Sequence, residues 1–311
     1  MKGLVKAVTK PLMDVAEHNY WAAKKLYMVK QDRAFNKHRD DPVLVYQMGK
    51  VGSSSIVRSL KALDLDRAVY HTHLLTDELI EETEASRKKF FRTDKHAYLM
   101  RPWLNRFLKD KIDKGIGNRR WKVISLVREP LSRNIAAFFE NCEFVYLPET
   151  KQYRISSDLY AFEPLLVNEK GLDDIVELFL KWGDHDTPLK YFDKQIKRVF
   201  GIDVYASAFD RERGYQVYEG KNADLMVLKL EKLDDCAAEA FRDFLGIENF
   251  SLVNANVASQ KDYAELYKNI KSFITFPKAY VDRLYDSRFM STFYTDEEKT
   301  EFLSRWKISD K

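Results

Sequence analysis

The amino-acid sequence predicts an α/β fold in which a mostly parallel sheet is flanked by helices. Two segments, 43–46 and 123–127, are short apolar runs rich in strand-forming residues, and each leads through a polar loop into a helical pattern. Further strand-like runs at 68–73, 215–219 and 225–230 alternate with helical segments. Parallel sheets bind ligands at the carboxyl ends of their strands, so function is expected in the loops that follow them.

The first 40 residues are predicted to form a basic helical segment that flanks, or packs on, a single domain at 41–311. An approximate helical stripe of apolar side chains accompanies the basic ones. One interpretation is a helix at a membrane surface or on an anionic polymer; the favoured one is a helix packed on the core with a solvated basic face. The basic residues are Lys2, Lys6, Lys10, Lys24, Lys25, Lys30, Arg33, Lys37 and Arg39.

The loop after the first strand has the composition of a phosphate-binding site. Glycines let the backbone approach a ligand, turn N–H groups and the following helix N-terminus attract an anion, and a lysine adds a full charge. The lysine precedes the last glycine, so the loop departs from the triphosphatase pattern GxxxxGK[ST]. An ordinary turn with a solvated lysine is the alternative. The residues expected to bind phosphate are Lys50, Gly52, Ser53, Ser54 and Ser55.

The strand at 123–127 ends in an arginine beside the start of another helix. Arg128 opens the run R-E-P-L-S-R-N-I-A-A-F-F, and Pro130 suits a first helical turn because its missing N–H would be unpaired there. The planar guanidinium of Arg128 can bind a phosphate through two hydrogen bonds. A structural ion pair at the strand end is the alternative for this arginine.

Together the two segments resemble the signatures of sulfotransferases that use 3′-phosphoadenosine 5′-phosphosulfate (PAPS). In that family K-x-G-[ST]-[ST] binds the 5′-phosphosulfate, and R-[DN]-P-x-x-R-x-x-S-x-[YF][YF] binds the 3′-phosphate. Arg128, Pro130, Arg133 and the phenylalanines at 138–139 match, whereas Ala136 stands where the family has a serine. The resemblance is closest to bacterial-type and polysaccharide-directed members. It implies a P-loop-like three-layer fold.

The resemblance also implies a chemistry, in which an acceptor hydroxyl or amine attacks sulfur in line with the leaving phosphate oxygen. Such a reaction needs a base, a cation at the leaving oxygen and hydrogen-bond donors around the sulfuryl group. Lys50 is the expected cation, PAPS is the co-substrate, and no metal is required because the leaving group is already a phosphate. The residues expected around the 3′-phosphate and the nucleotide are Arg128, Ser132, Arg133, Asn134 and Lys261, with Tyr263 beside the last.

Three histidines are candidates for the base. His71 and His73 end the second predicted strand and lie on one face of it, since side chains alternate along a strand. His73 is the first choice because it is nearer the carboxyl end, and an ordinary histidine pKa near 6.5 suits proton transfer. His185 is the second choice, because the aspartates on either side of it could orient its ring. For His71 and His73 the alternative is a histidine that is merely hydrogen-bonded at a strand end, and for His185 it is a solvated loop that caps the helix predicted at 189–199.

Between 141 and 193 the pattern loosens into aromatic and proline-containing runs, which predict an insertion that forms the wall of an acceptor site. Aromatic rings suit stacking on sugars, although they also fill cores. The expected acceptor is a carbohydrate, either a polysaccharide or a glycolipid; the same loops would also serve a lipid headgroup or a peptide tyrosine.

Composition argues against several other classes of protein. The net charge of +4, from 52 basic and 48 acidic side chains, is too small to predict nucleic-acid binding. The chain has no long apolar run, no signal-peptide pattern and two cysteines, so a cytoplasmic location is expected, with peripheral contact at the inner membrane surface through the basic N-terminus. Two other functions stay open: a kinase-like phosphoryl transferase and a non-catalytic module that binds membrane or anionic polymer.

Overall fold

The computed structural model describes residues 19–157, 162–168, 172–253 and 274–310. The strands are β1 (Val43–Tyr46), β2 (Val69–Thr72), β3 (Trp121–Val127), β4 (Glu143–Leu147), β5 (Gln152–Ser157), β6 (Phe162–Asn168), β7 (Tyr215–Glu219), β8 (Ala223–Lys229), β9 (Thr275–Pro277) and β10 (Lys307–Ser309). The helices are α1 (Tyr20–Lys37), α2 (Ser53–Ala62), α3 (Asp77–Arg87), α4 (Met100–Lys114), α5 (Pro130–Asn141), α6 (Leu172–Trp182), α7 (Thr187–Tyr191), α8 (Arg198–Phe200), α9 (Leu233–Leu245), α10 (Lys278–Tyr285), α11 (Arg288–Phe293) and α12 (Asp296–Ser304). A π-helical turn, Phe192–Lys197, joins α7 to α8.

The largest sheet has five strands in the order β2-β1-β3-β8-β7. The first four are parallel, and β7 pairs antiparallel with β8 at the edge. Every residue of β1 and of β8 is buried, as expected of strands covered by helices on both faces. The prediction of an α/β fold with a mostly parallel sheet is thereby confirmed, and the P-loop-like subtype stays a prediction.

The strand order creates a crevice between the ends of two neighbouring strands. From β1 the chain goes to β2 on one side, whereas from β3 it goes on to β8 on the other side. The loops that leave β1 and β3 therefore diverge, and ligands of open parallel sheets bind at such a switch point. This is where the lysine-containing loop and Arg128 lie.

Helix α1 packs on the body of the protein through its aromatic side chains. Phe35 is buried in the main core, and Tyr20 lies edge-on to Trp103 of α4 with ring centroids 5.5 Å apart. The Tyr20 hydroxyl also donates to Glu84 of α3 at 2.6 Å. The basic residues before position 19 lie outside the described residues, so the structure describes only the second half of the predicted basic segment.

The insertion contains a sheet that the sequence analysis did not predict. Strands β4, β5 and β6 pair antiparallel in that order, and α6 follows them. Phe144 of β4 stacks on Phe139 of α5 at 4.9 Å, which fixes this small sheet against the helix that follows β3. Most of β4 is only half-buried, so its sequence lacks the clear alternation that indicates a strand.

The C-terminal helices are joined to the sheet by a buried ion pair. A capping box begins α12 (Asp296–Ser304), since Glu298 N donates to Thr295 Oγ1 at 3.2 Å and Thr295 N donates to Glu298 Oε2 at 2.9 Å. The same carboxylate accepts from Lys229 Nζ at 2.7 Å, and Lys229 is fully buried at the end of β8.

Candidate functional site

The loop between β1 and α2 has a left-handed backbone at two positions. Gly52 has φ 86°, a conformation that favours glycine, and a Cβ atom there would lie 2.5 Å from Cδ1 of Leu230, whose side chain would have to shift. Lys50 has φ 70°, which costs a residue with a side chain about 1–2 kcal/mol. Strained residues of this kind cluster at functional sites, so the backbone itself marks this loop.

The N-terminus of α2 is suited to an anion. Its N-cap residue is Gly52, which has no side chain to accept from the first N–H groups of the helix. Ser53, Ser54 and Ser55 form the first turn, where the helix dipole adds positive partial charge. The structure therefore places the lysine, the glycine and the three serines singled out by the sequence in a single turn.

Lys50 forms an ion pair across the crevice. Its Nζ lies 3.0 Å from Oε2 of Glu140, near the end of α5, and both side chains are partly exposed. Ion pairs with access to solvent are worth about 0–1 kcal/mol, so an anionic ligand could exchange places with this carboxylate at little cost.

Arg128 joins the two segments that the sequence analysis singled out. Its Nη1 donates to the carbonyl oxygen of Lys50 at 2.9 Å, although the two residues are 78 positions apart. The bond uses part of the guanidinium and holds it beside the loop, at the switch point between β1 and β3.

The N-terminus of α5, in contrast, is already closed by a carboxylate. Glu129 is buried, and its side chain accepts from the backbone N–H groups of Leu131 and Ser132 at 2.8 and 2.7 Å. Tyr285 donates to the same carboxylate at 2.7 Å. A second acid, Glu231, accepts from Glu129 N at 2.7 Å; the residue as a whole is exposed, but desolvation of its carboxyl group raises its pKa. An anion near Arg128 would therefore be bound by side chains and by the α2 terminus rather than by α5.

Arg133 and Asn134 serve as buried links between segments. Arg133 Nε donates to Gly49 O at 3.1 Å, and its Nη1 donates to the backbone and side-chain oxygens of Asp184, each at 3.1 Å. Asn134 is fully buried and donates to His185 O at 3.2 Å and to Tyr280 at 3.3 Å. Both side chains thus connect α5 to the loop before α7, and Arg133 also binds the backbone of the lysine loop at Gly49.

His185 is held by protein groups at both ring nitrogens. Its Nε2 lies 2.9 Å from the carbonyl oxygen of Phe179, which can only accept, so Nε2 carries the proton. Nδ1 then accepts from Tyr280 at 2.8 Å. Burial lowers the pKa of His185, which keeps the ring neutral. The sequence predicted an aspartate as the orienting group, but Asp184 bonds Arg133 instead and Tyr280 orients the ring.

His73 has the protonation that a base requires. Its Nδ1 lies 2.9 Å from the carbonyl oxygen of Gln47, so this nitrogen carries the proton and Nε2 keeps its lone pair. Gln47 is buried directly after β1, and its amide nitrogen lies 3.1 Å from Nε2 of His71. Gln47 was not among the residues predicted from the sequence, although its place as a polar residue between the apolar Tyr46 and Met48 is a signal that could have indicated it.

Burial and nearby positive charges lower the pKa values of both histidines. Burial lowers the pKa of His71 to about 3, with further lowering by the charges of His73 and Arg101. Burial is also the largest cause that lowers the pKa of His73, partly opposed by the Gln47 carbonyl. The positive charges of Arg133 and Lys50 lower it further, so His73 lies within electrostatic reach of the loop.

Some predictions fall outside the structure's description. Lys261 and Tyr263 lie in 254–273, outside the described residues, so their expected role stays a prediction. Among the helices that are described, none combines the length and the apolar character needed to cross a membrane.

Comparison with known proteins gives one match. Residues 165–295 match the family model NKWYS, described as "Putative capsular polysaccharide synthesis protein". The matched stretch begins in β6 and includes His185, whereas Lys50, His73 and Arg128 precede it. No curated protein and no solved structure matches the chain. The chain is thus similar, from its insertion to the start of α12, to a family linked with polysaccharide synthesis.

Proposed function

We propose that this chain is a sulfotransferase that transfers the sulfuryl group of PAPS to a hydroxyl of a carbohydrate, in the making of a capsular polysaccharide. The observation that carries the proposal is the hydrogen bond of Arg128 to the carbonyl of Lys50 at the switch point of the sheet. It brings the two segments that resemble the phosphosulfate and 3′-phosphate motifs to one crevice.

The residues present suit the donor's two anionic ends. The 5′-phosphosulfate would lie on the uncapped N-terminus of α2, with the serines at 53–55 and Lys50 as donors. Lys50 would leave Glu140 for the oxygen that bridges phosphorus and sulfur. The 3′-phosphate would accept hydrogen bonds from the N–H groups of Arg128 that do not bond the carbonyl of Lys50. These bonds would replace the one from the serine that the family has at the position of Ala136.

The reaction can be written with its atoms balanced. The acceptor oxygen forms a bond to sulfur while the bond from sulfur to the bridging oxygen breaks, and that electron pair leaves on the 5′-phosphate. Lys50 stabilises the charge that develops on the leaving oxygen. The proton of the acceptor hydroxyl passes to Nε2 of His73, the nitrogen that the Gln47 carbonyl leaves unprotonated.

Support for a carbohydrate acceptor comes from the other half of the chain. The stretch similar to polysaccharide-synthesis proteins begins in the insertion and includes the network of Asp184, His185 and Tyr280, which bonds Arg133 and Asn134. Those two residues support the lysine loop and α5. The matched region is therefore physically continuous with the proposed donor site.

The first experiment is calorimetric binding of 3′-phosphoadenosine 5′-phosphate, the spent donor, with ATP and 5′-AMP as controls. We expect binding that depends on the 3′-phosphate and that weakens about 10- to 100-fold in Arg128→Ala, because a charge-assisted hydrogen bond is worth about 1.5–3 kcal/mol. Lys50→Ala should lower the transfer rate by orders of magnitude. Lys114→Ala, which removes an exposed charge at the far end of α4, is the matched control. A preference for ATP with magnesium, or no binding, would refute the proposal in favour of a kinase-like or non-catalytic function.

A further inference from the structure

A small cavity lies against the two histidines, on the side of β2 that faces α3 and α4. Its volume is about 160 Å³, roughly five times the share of one water molecule in the liquid. That is room for one small polar group or part of a single ring, and not for a polymer. The residues that line it are His71, Thr72, His73, Leu74, Thr83, Arg87, Arg101, Leu104 and Asn105.

Two of these residues are arginines, and neither forms an ion pair with any carboxylate of the described residues. Arg87 is half-buried and donates to the carbonyl of Tyr98 at 3.2 Å, and burial together with the charge of Arg101 lowers its pKa. Arg101 is exposed, whereas Arg106, five positions further along α4, is half-buried and pairs with both Asp77 and Glu81.

The charge of Arg101 acts on the histidines of the cavity. Arg101 lies in the first turn of α4, and that turn contains no acidic residue. Its charge lowers the pKa values of His71 and His73. Two guanidinium groups that pair with no carboxylate of the described residues make this a site of positive potential, which an anion would stabilise.

The remaining polar groups of the cavity are neutral. His71 and His73 are uncharged near pH 7, because burial lowers both pKa values. Asn105 is buried, and its Oδ1 accepts from Thr72 at 2.6 Å, which leaves its amide N–H groups as donors. Two guanidinium groups beside neutral hydrogen-bond donors and acceptors suit a molecule that carries both a carboxylate and hydroxyls.

We propose that this cavity binds the carboxylate of a sugar acid, so that the acceptor glycan contains uronic acid residues. The planar guanidinium of Arg101, with Arg87 behind it, binds the carboxylate, and a hydroxyl of the same or the adjoining sugar lies at Nε2 of His73. The assignment of that hydroxyl as the sulfated one rests on the proposed function. The binding of the acid itself does not.

The test is calorimetric binding of a tetrasaccharide of alternating glucuronate and N-acetylglucosamine, without any donor nucleotide. Its carboxyl-reduced counterpart and inorganic phosphate are the comparison ligands. The variants are Arg101→Ala, Arg101→Lys and, as a control for net charge, Lys114→Ala, whose exposed side chain lies at the other end of α4. Arg101→Ala should fold, because Arg101 is exposed and pairs with no carboxylate of the described residues.

We expect the acidic tetrasaccharide to bind at least tenfold more tightly than the reduced one, and Arg101→Ala to remove that preference. Arg101→Lys should recover only part of it, because lysine lacks the planar fork. Equal binding of the two tetrasaccharides, equal competition by phosphate, or an unchanged preference in Arg101→Ala would each overturn the proposal. Because no nucleotide is present, a protein that binds the acid but not 3′-phosphoadenosine 5′-phosphate would refute the sulfotransferase function alone.

Discussion

Replacement of Arg133 by alanine distinguishes a residue that supports the site from one that binds the donor. The sequence pattern predicts Arg133 as part of the 3′-phosphate site. In the structure only about 5% of its side chain is exposed, and its guanidinium bonds Gly49 O, Asn134 Oδ1 and both oxygens of Asp184 that face it. We therefore expect Arg133→Ala mainly to lower the free energy of unfolding, and to change the affinity for the donor nucleotide less.

The size of the effect follows from what the substitution leaves behind. The carbonyl of Gly49, half-buried under the loop, loses its donor at a cost of about 1–3 kcal/mol. The Asp184 carboxylate loses its arginine partner, but it is about one-third exposed and water screens its charge. Its unpaired charge therefore adds less to the cost than that of a fully buried carboxylate would. Together these give about 2–4 kcal/mol. Arg133→Lys should lose less, because it keeps the charge but not the fork.

Urea denaturation followed by circular dichroism gives the measurement. With an m-value of about 3 kcal/mol per M, the midpoint should fall by about 1 M in Arg133→Ala. Arg128→Ala is the matched comparison, since it removes one bond from a partly exposed guanidinium and should lower stability by about 1 kcal/mol while weakening nucleotide binding. If Arg133→Ala left the midpoint unchanged and lowered only nucleotide affinity, Arg133 would be a ligand and our reasoning would be wrong.

Three further predictions concern the loop, the base and the sheet. Gly52→Ala should lower the unfolding free energy by about 2 kcal/mol or more, because backbone strain at φ 86° adds to the cost of the contact with Leu230. The control is Gly201→Ala, at φ 71° with no atom near its Cβ, which should show the cost of strain alone. Equal losses of unfolding free energy in the two variants would show that the contact with Leu230 adds nothing. Since burial and nearby cations lower the pKa of His73 in the unliganded protein, the acidic limb of the pH profile of kcat/KM, which reports the free enzyme, should lie below the ordinary value near 6.5, and a limb above it would assign the base elsewhere. Burial alone would raise the pKa of Asp224, but hydrogen bonds from Arg120 and Lys122 lower it below 3.8. Asp224→Asn should therefore cost about 2 kcal/mol at pH 7, and denaturation curves should show this difference shrinking below pH 3.8; a cost independent of pH would mean that charge is not the cause.

The strands and helices that came from local patterns were the predictable part of the fold. The buried run at 43–46 and the helix after it follow from residue types within one segment, and β1 has the predicted bounds. The antiparallel sheet of the insertion was missed, because its strands are half-exposed and pair with each other rather than with the core. The order of the sheet depends on long-range pairing that no local pattern specifies.

In the candidate site, the sequence identified residues but not their partners. Lys50 and Arg128 were predicted from motif spacing, whereas Glu140 opposite the lysine and Tyr280 behind His185 come from segments that only the fold brings close. Arg133 and Ser132 fit a phosphate-binding pattern by type, yet one is a buried link and the backbone N–H of the other bonds the Glu129 cap. Residue type indicates what a side chain can bind, and burial decides what it does bind.

The charges around His73 explain how a weak base can serve the proposed reaction. The charges of Arg101 and Lys50 both lower the pKa of its ring, so in the unliganded protein the base stays neutral but binds a proton poorly. An anionic donor at Lys50 and an acidic acceptor at Arg101 would each bring a negative charge that cancels one of these effects. The proton affinity of His73 would then rise with each substrate that binds and be highest when both are bound. The base is thus strongest in the complex that is ready to react, and binding of either ligand should draw the protonation of His73 toward higher pH.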